Sequence, residues 1–130
     1  MPDPGRKLVL IVDDVPTNLA VATGALKDLF RTKVATNGEK ALAIAASAEK
    51  PDLVLLDVMM PDMDGYEVCR RLKANPETAS IPIVFITAKT SADDREKGLE
   101  AGAIDYIHKP FSAPILIERV QAHLGQQDRD

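Results

Sequence analysis

The chain has 130 residues, enough for one ordinary domain, since domains centre on about 100–150 residues. Hydrophobic residues make up 45% and charged residues 28%, the balance of a globular chain rather than a disordered one. Sixteen Lys plus Arg against 20 Asp plus Glu leave a net charge of −4. That charge argues against direct binding to nucleic acid or a membrane surface, both of which need a positive face. With three Phe, two Tyr and no Trp, the chain is also a poor stacking platform for single strands.

The single cysteine, Cys69, excludes an internal disulfide and a zinc site built from several thiolates, and reads as a small apolar filler. Met1–Lys7 lacks the apolar stretch of a signal peptide. No apolar run approaches the roughly 20 residues of a membrane span. The expected compartment is the cytoplasm.

Residues 7–124 read as the folded unit. The polar ends, 1–6 and 125–130, read as flexible termini or linker stubs. Lys7–Val12 (KLVLIV) is a nearly continuous apolar run, suited to a buried strand. Asp13–Asn18 breaks it, and Leu19, Ala22, Ala25, Leu26 and Leu29 then recur at helical spacing. Thr32–Thr36 is a weaker strand, Asn37-Gly38 a turn, and Glu39–Ala48 an Ala-rich helix. Leu53–Leu56 is a strand running into Asp57. The loop Met60–Gly65 leads to a helix over Tyr66–Lys73. Ile81–Thr87 is the fourth strand, Asp93–Ala101 a charged helix closed by Gly102, and Ile104–Ile107 the fifth strand. Lys109-Pro110 breaks that strand before a last helix over Ala113–Leu124. Five β-α units predict an α/β fold, a doubly wound parallel sheet with helices on both faces. The charged fourth helix is expected to pack least firmly.

In open α/β sheets, ligands bind beyond the carboxyl ends of the strands. Strand one ends at Asp13 and Asp14, strand three at Asp57 and strand four at Thr87; Lys109 follows strand five. If strands one and three are neighbours, three carboxylates converge, and they cannot all stay ionised without a compensating charge. A hard cation such as Mg²⁺ suits carboxylates, waters and phosphate oxygens, and Lys109 supplies a second positive charge. A cation, an ammonium and a hydroxyl around one carboxylate cradle a phosphoryl group, which the carboxylate can accept as an acyl phosphate. Each residue alone has a plainer reading. Strand-end aspartates are commonly turn residues or helix caps, and capping is also the better reading of Asp62 and Asp64. Lys109 alone is a solvated charge, and Thr87 and Tyr106 are ordinary strand residues.

The residues that match a known family are VDD at Val12–Asp14, LLDVMMPDMDG at Leu55–Gly65, ITA at Ile86–Ala88 and AGAIDYIHKPF at Ala101–Phe111. Each piece is weak by itself, but the set, in order and spacing, is specific. The chain resembles the receiver domain of two-component response regulators. That resemblance implies a flavodoxin-like sheet in the order 2-1-3-4-5. It implies that Asp57 is the phosphoacceptor, with Asp13, Asp14, Asp57 and the Met59 carbonyl binding Mg²⁺ (or Mn²⁺). It implies that Thr87 is the switch hydroxyl, Lys109 the phosphate-pairing lysine and Tyr106 the aromatic switch, and that the Lys109–Pro110 peptide is cis. The implied partners are a histidine kinase or phosphotransfer protein and a downstream effector, with a phosphorylation-linked homodimer through the fourth helix, fifth strand and fifth helix. No enzymatic turnover is expected beyond self-phosphorylation and dephosphorylation.

An aspartyl-phosphate phosphatase is the rival of another class, but such enzymes typically carry a second acid two residues after the nucleophile, where Met59 stands here. A flavin carrier shares the fold but needs a phosphate loop absent from the first turn. Met59 and Lys89 are expected to flank the path of a hydrolysing water, with Met59 hindering it. VDDVPTN resembles receivers attached to cyclic-di-GMP enzymes or hybrid histidine kinases, so a receiver cut from a larger protein is as good a reading as a stand-alone regulator. His108 and His123 are too few for a metal cluster.

Overall fold

The computed structural model describes residues 6–88 and 91–128. Five strands alternate with five helices: β1 (Leu8–Val12), α1 (Pro16–Leu26), β2 (Arg31–Ala35), α2 (Gly38–Ala45), β3 (Leu53–Asp57), α3 (Gly65–Ala74), β4 (Ile83–Thr87), α4 (Ala92–Ala101), β5 (Asp105–His108) and α5 (Ala113–Asp128). The strands form one parallel sheet in the order β2-β1-β3-β4-β5.

The period-two geometry of the strands sorts the core into two layers. Val9, Ile11, Leu53, Leu55, Val84, Ile86 and Ile107 face Leu19, Ala22 and Leu26 of α1 and Leu116, Val120 and Leu124 of α5. Their neighbours Leu10, Val12, Val54, Leu56 and Phe85 face the other way, against α2, α3 and the end of α4. Both faces are covered, so β1, β3 and β4 are buried at every position. That is why they read as unbroken apolar runs.

Several boundaries differ from the sequence expectation, each for a local reason. Helix α1 stops at Leu26, and Leu29 lies in the following turn, 41% exposed. Asn37-Gly38 is not a free turn: Asn37 caps α2 by accepting from the Lys40 N–H, and Gly38 opens the helix. That helix ends at Ala45, where Ser47 Oγ donates back to the Ile44 carbonyl. Strand β2 is Arg31–Ala35, one residue earlier than expected. Strand β4 begins at Ile83, after Pro82, which has no N–H for the ladder. Strand β5 is shifted by one residue to Asp105–His108, and α5 runs to Asp128, beyond its apolar pattern. Asp64 caps α3 by accepting from the Glu67 N–H at 2.9 Å. Among the described residues, no helix is long and apolar enough to cross a membrane.

Candidate functional site at the carboxyl edge of the sheet

The strand order makes β1 and β3 neighbours, with Val12 opposite Leu56 in register. The next residues along each strand, Asp13 and Asp57, therefore meet at the carboxyl edge. Chain flow turns away in opposite directions there, leaving a crevice. Asp13, Asp14 and Asp57 each offer a carboxylate oxygen, all within 4.8 Å of one another. Asp13 and Asp57 are each 5% exposed, while Asp14 is half-buried.

Local hydrogen bonds hold the acids in place. Asp13 Oδ1 accepts from the Val15 N–H at 2.9 Å, and its own N–H donates to the Ala35 carbonyl. Asp57 Oδ1 accepts a long bond from the Met59 N–H, 3.4 Å. The loop after β3 folds back tightly, with the Gly65 N–H donating to the Val58 carbonyl at 2.9 Å. A Cβ at position 65 would stand 2.3 Å from the Asp57 carbonyl oxygen, so only glycine fits there.

Lys109 arrives from the β5–α5 connection, where the Lys109–Pro110 peptide is cis. Its N–H donates to the Thr87 carbonyl at 2.8 Å. Its ammonium lies 2.9 Å from Asp13 Oδ2 and 3.4 Å from Asp57 Oδ2. Among the described residues, Lys109 thus pairs with two of the three clustered acids, and the deficit appears at Asp57. Burial first, and the Asp13 charge second, push its carboxyl up to about 6, with Lys109 and the Met59 N–H pulling the other way. A carboxylate held this reluctantly ionised is electrostatically receptive to a cation. The donors are all oxygen and mostly anionic, which fits Mg²⁺ or Mn²⁺ rather than a soft metal.

Thr87, at the end of β4, is fully buried, and its hydroxyl interacts with that of Tyr106. Tyr106 is turned toward the sheet, its ring edge-on to Phe85 with centroids 6.1 Å apart. Burial foremost, with the neighbouring Tyr66 hydroxyl, raises its phenol pKa. The structure therefore gathers Asp13, Asp14, Asp57, Thr87 and Lys109 at one edge. Met59 stands beside them with its side chain 58% exposed, while Lys89 lies outside the described residues. Asp62, at φ 69°, and Asp64 belong to the loop and the α3 cap.

Three features were not singled out from the sequence. Gly65 is fixed by its approach to Asp57, Tyr66 joins the aromatic group beside Tyr106, and His123 pairs with Asp105. Asp105 Oδ2 lies 2.9 Å from His123 Nε2, and its carboxylate accepts from Arg119 through Oδ1 at 2.7 Å. The i,i+4 spacing of Arg119 and His123 was the available signal for that last cluster.

An open sheet with its acids gathered at the β1/β3 switch point has the architecture of a CheY-like receiver. The family model for the response regulator receiver domain matches residues 9–121, and the chain belongs to that family. Over 124 residues it is 46% identical to a probable cyclic di-GMP phosphodiesterase of Vibrio cholerae serotype O1, covering 95% of this chain and 28% of the relative. It is 43% identical over 127 residues to the DNA-binding response regulator MtrA of Mycolicibacterium smegmatis, covering 97% and 54%. Among solved structures, the receiver domain of the sensor histidine kinase PA1611 of Pseudomonas aeruginosa PAO1 aligns with a TM-score of 0.83 at 32% identity. That alignment covers 93% of this chain and 99% of the other, which carries a magnesium ion coordinated in its active-site cleft. The chain thus spans from about a quarter to about half the length of these curated relatives.

Proposed function

We propose that this receiver accepts a phosphoryl group on Asp57 and converts the new charge into a change of packing. The observation that carries the reading is the convergence of Asp13, Asp14, Asp57 and the Lys109 ammonium at one strand edge. An Asp57 carboxylate oxygen attacks phosphorus. The P–N bond of a phosphohistidine, or the P–O bond of a small acyl phosphate, breaks with its electron pair going to the leaving group. The product is an aspartyl phosphate.

Asp13, Asp14, Asp57 and the Met59 carbonyl would hold Mg²⁺ or Mn²⁺, which when bound neutralises charge on the phosphoryl oxygens. Lys109 pairs with a phosphoryl oxygen from the opposite side, and the Thr87 hydroxyl donates to another. Drawing Thr87 toward the phosphoryl group changes its contact with Tyr106. The surface formed by α4, β5 and α5 responds as a shifted population of two packings.

The donor is a histidine kinase or phosphotransfer protein, and the setting is cytoplasmic. The relatives differ in output, one being named a phosphodiesterase and another a DNA-binding regulator. The common part is the receiver, so the effector is a separate protein or a further domain. Phosphorylation-linked dimerisation through the α4–β5–α5 face predicts a larger sedimentation coefficient with a phosphoryl mimic than without.

The decisive experiment is incubation with acetyl phosphate and Mg²⁺, read by intact mass. The wild type should gain one phosphoryl group and Asp57→Ala none. A phosphorylated Asp57→Ala protein, or a wild type modified equally well in excess chelator, refutes the assignment.

A further inference from the structure

Helix α4 is thinly anchored. It buries only Gly98 and Ala101, neither of which carries a large apolar side chain, and Leu99 is 57% exposed. Besides the Cys69 Sγ contact with the Ala101 carbonyl at 3.3 Å, its attachment comes from aromatic residues that reach it from outside. At Gly98, a Cβ would stand 3.0 Å from the Phe85 ring and 3.3 Å from Tyr106 Cδ2, so both rings lie against the helix backbone. Nearer the amino end of α4, the Tyr66 hydroxyl donates to the Asp94 carbonyl at 3.2 Å. Tyr66 belongs to the first turn of α3 and is buried. Its ring meets Phe85 edge-on, with centroids 5.3 Å apart, and the Lys97 ammonium of α4 sits 5.3 Å from its centroid. The Tyr106 hydroxyl interacts with both Tyr66 and Thr87.

We propose that Tyr66 is a second aromatic member of the switch, a positioning residue whose ring and hydroxyl tie inward-turned Tyr106 and the α3 amino end to the first turns of α4. The idea rests on the phosphoryl-switch reading for its consequence, but the tether itself is a property of the resting protein. Three contacts of different kinds converge on Tyr66: a hydrogen bond to helix backbone, an edge-to-face ring pair and a cation over the ring. The hydrogen bond to Asp94 and the Lys97 contact end on α4 and weaken if α4 slides, while the ring pair with Phe85 holds Tyr66 against the sheet. Motion at Thr87 thereby reaches α4 through two tyrosines rather than one.

The test compares wild type with Tyr66→Phe, which keeps the ring and removes only the hydroxyl, by backbone amide hydrogen exchange. In chelator, the variant should exchange α4 amides about fivefold faster, as expected for one modest hydrogen bond, while α1 and α5 stay unchanged. Tyr106→Phe and the double variant complete a cycle, and the two effects on α4 should be non-additive. Unchanged α4 exchange, an equal rise in every helix, or strictly additive effects overturn the proposal. A second arm adds beryllofluoride and Mg²⁺ as a phosphoryl mimic. The wild type should show a change of α4 exchange that Tyr66→Phe reduces at least twofold, and an identical response in both overturns the coupling. If neither protein responds to the mimic, the phosphoryl-switch reading fails, while the chelator arm still decides whether Tyr66 tethers α4.

Discussion

Gathering Asp13, Asp14 and Asp57 beside Lys109 should make the resting protein less stable than it would be with a neutral residue at position 57. Burial and Asp13 raise the Asp57 carboxyl from 3.8 to about 6 in the folded chain. A shift of roughly two units corresponds to about 3 kcal/mol of destabilisation once Asp57 is ionised in both states. The sign follows from proton counting: between about pH 4 and pH 6 the folded state holds a proton that the unfolded state has released, so stability falls as pH rises through that window. Asp57→Asn removes the titration. It also removes the 3.4 Å contact with Lys109, although that ammonium keeps Asp13 at 2.9 Å. The net expectation is a variant more stable than wild type by about 2 kcal/mol near pH 8, with the difference vanishing near pH 4. In a domain of this size that is a rise in Tm of roughly 6–10 °C. Urea unfolding followed by circular dichroism, in chelator across the pH series, measures it. The Asp105 cluster titrates in both proteins and cancels in the difference. A stability difference that is flat from acid to alkaline pH, or a wild type more stable than the variant near pH 8, would refute the electrostatic reasoning.

Saturating Mg²⁺ should raise the wild-type Tm, because the ion binds the folded acids, and should raise that of Asp57→Asn much less; thermal melts with and without chelator compare them. Gly65→Ala should cost about 2 kcal/mol or more, since its Cβ would stand 2.3 Å from the Asp57 carbonyl oxygen, and should also weaken Mg²⁺ binding; urea unfolding and calorimetric titration report the two effects. Burial pushes the Asp105 carboxyl up, but His123, Arg119 and the Tyr106 N–H together outweigh it and hold it below its ordinary range. The pairing therefore contributes stability at neutral pH that is lost as pH falls through the lowered value, and Arg119→Ala should remove part of it, about 1 kcal/mol near neutrality in urea unfolding. Met59→Asn should change the decay rate of the aspartyl phosphate severalfold, with faster loss if the exposed methionine screens an attacking water; an unchanged rate in a phosphate-release assay rejects that role.

Strand content was legible because both faces of the sheet are covered. Residues such as Leu53–Leu56 and Ile83–Ile86 are apolar whichever way they point. The acids were legible as a set because each stands where a strand ends, and chain order alone puts strand ends on one edge of a parallel sheet. Helix ends were less so. Leu29 continues a helical period that the chain leaves at Leu26, and Pro82 shortens β4 from within an apolar run. Tyr66 and Gly65 escaped for another reason. Their importance lies in what approaches them from distant segments, the Asp57 backbone in one case and α4 in the other, and one-dimensional spacing does not encode such approaches.

The uneven anchoring of the helices bears directly on the proposed switch. Helix α1 buries Leu19, Ala22 and Leu26, α3 buries Tyr66, Val68, Cys69 and Leu72, and α5 contributes Leu116, Val120 and Leu124 to the core. Each fully buried aliphatic side chain is worth about 1.5–3 kcal/mol, so moving any of these helices disrupts several such terms at once. Helix α4 has none of comparable size and relies on aromatic contacts from β4, β5 and α3. Local electrostatic changes of a few kcal/mol can therefore shift α4 without unmaking the core. Thr87 and Tyr106 link the proposed site to α4, so the proposed switch acts on a helix that buries no large aliphatic side chain.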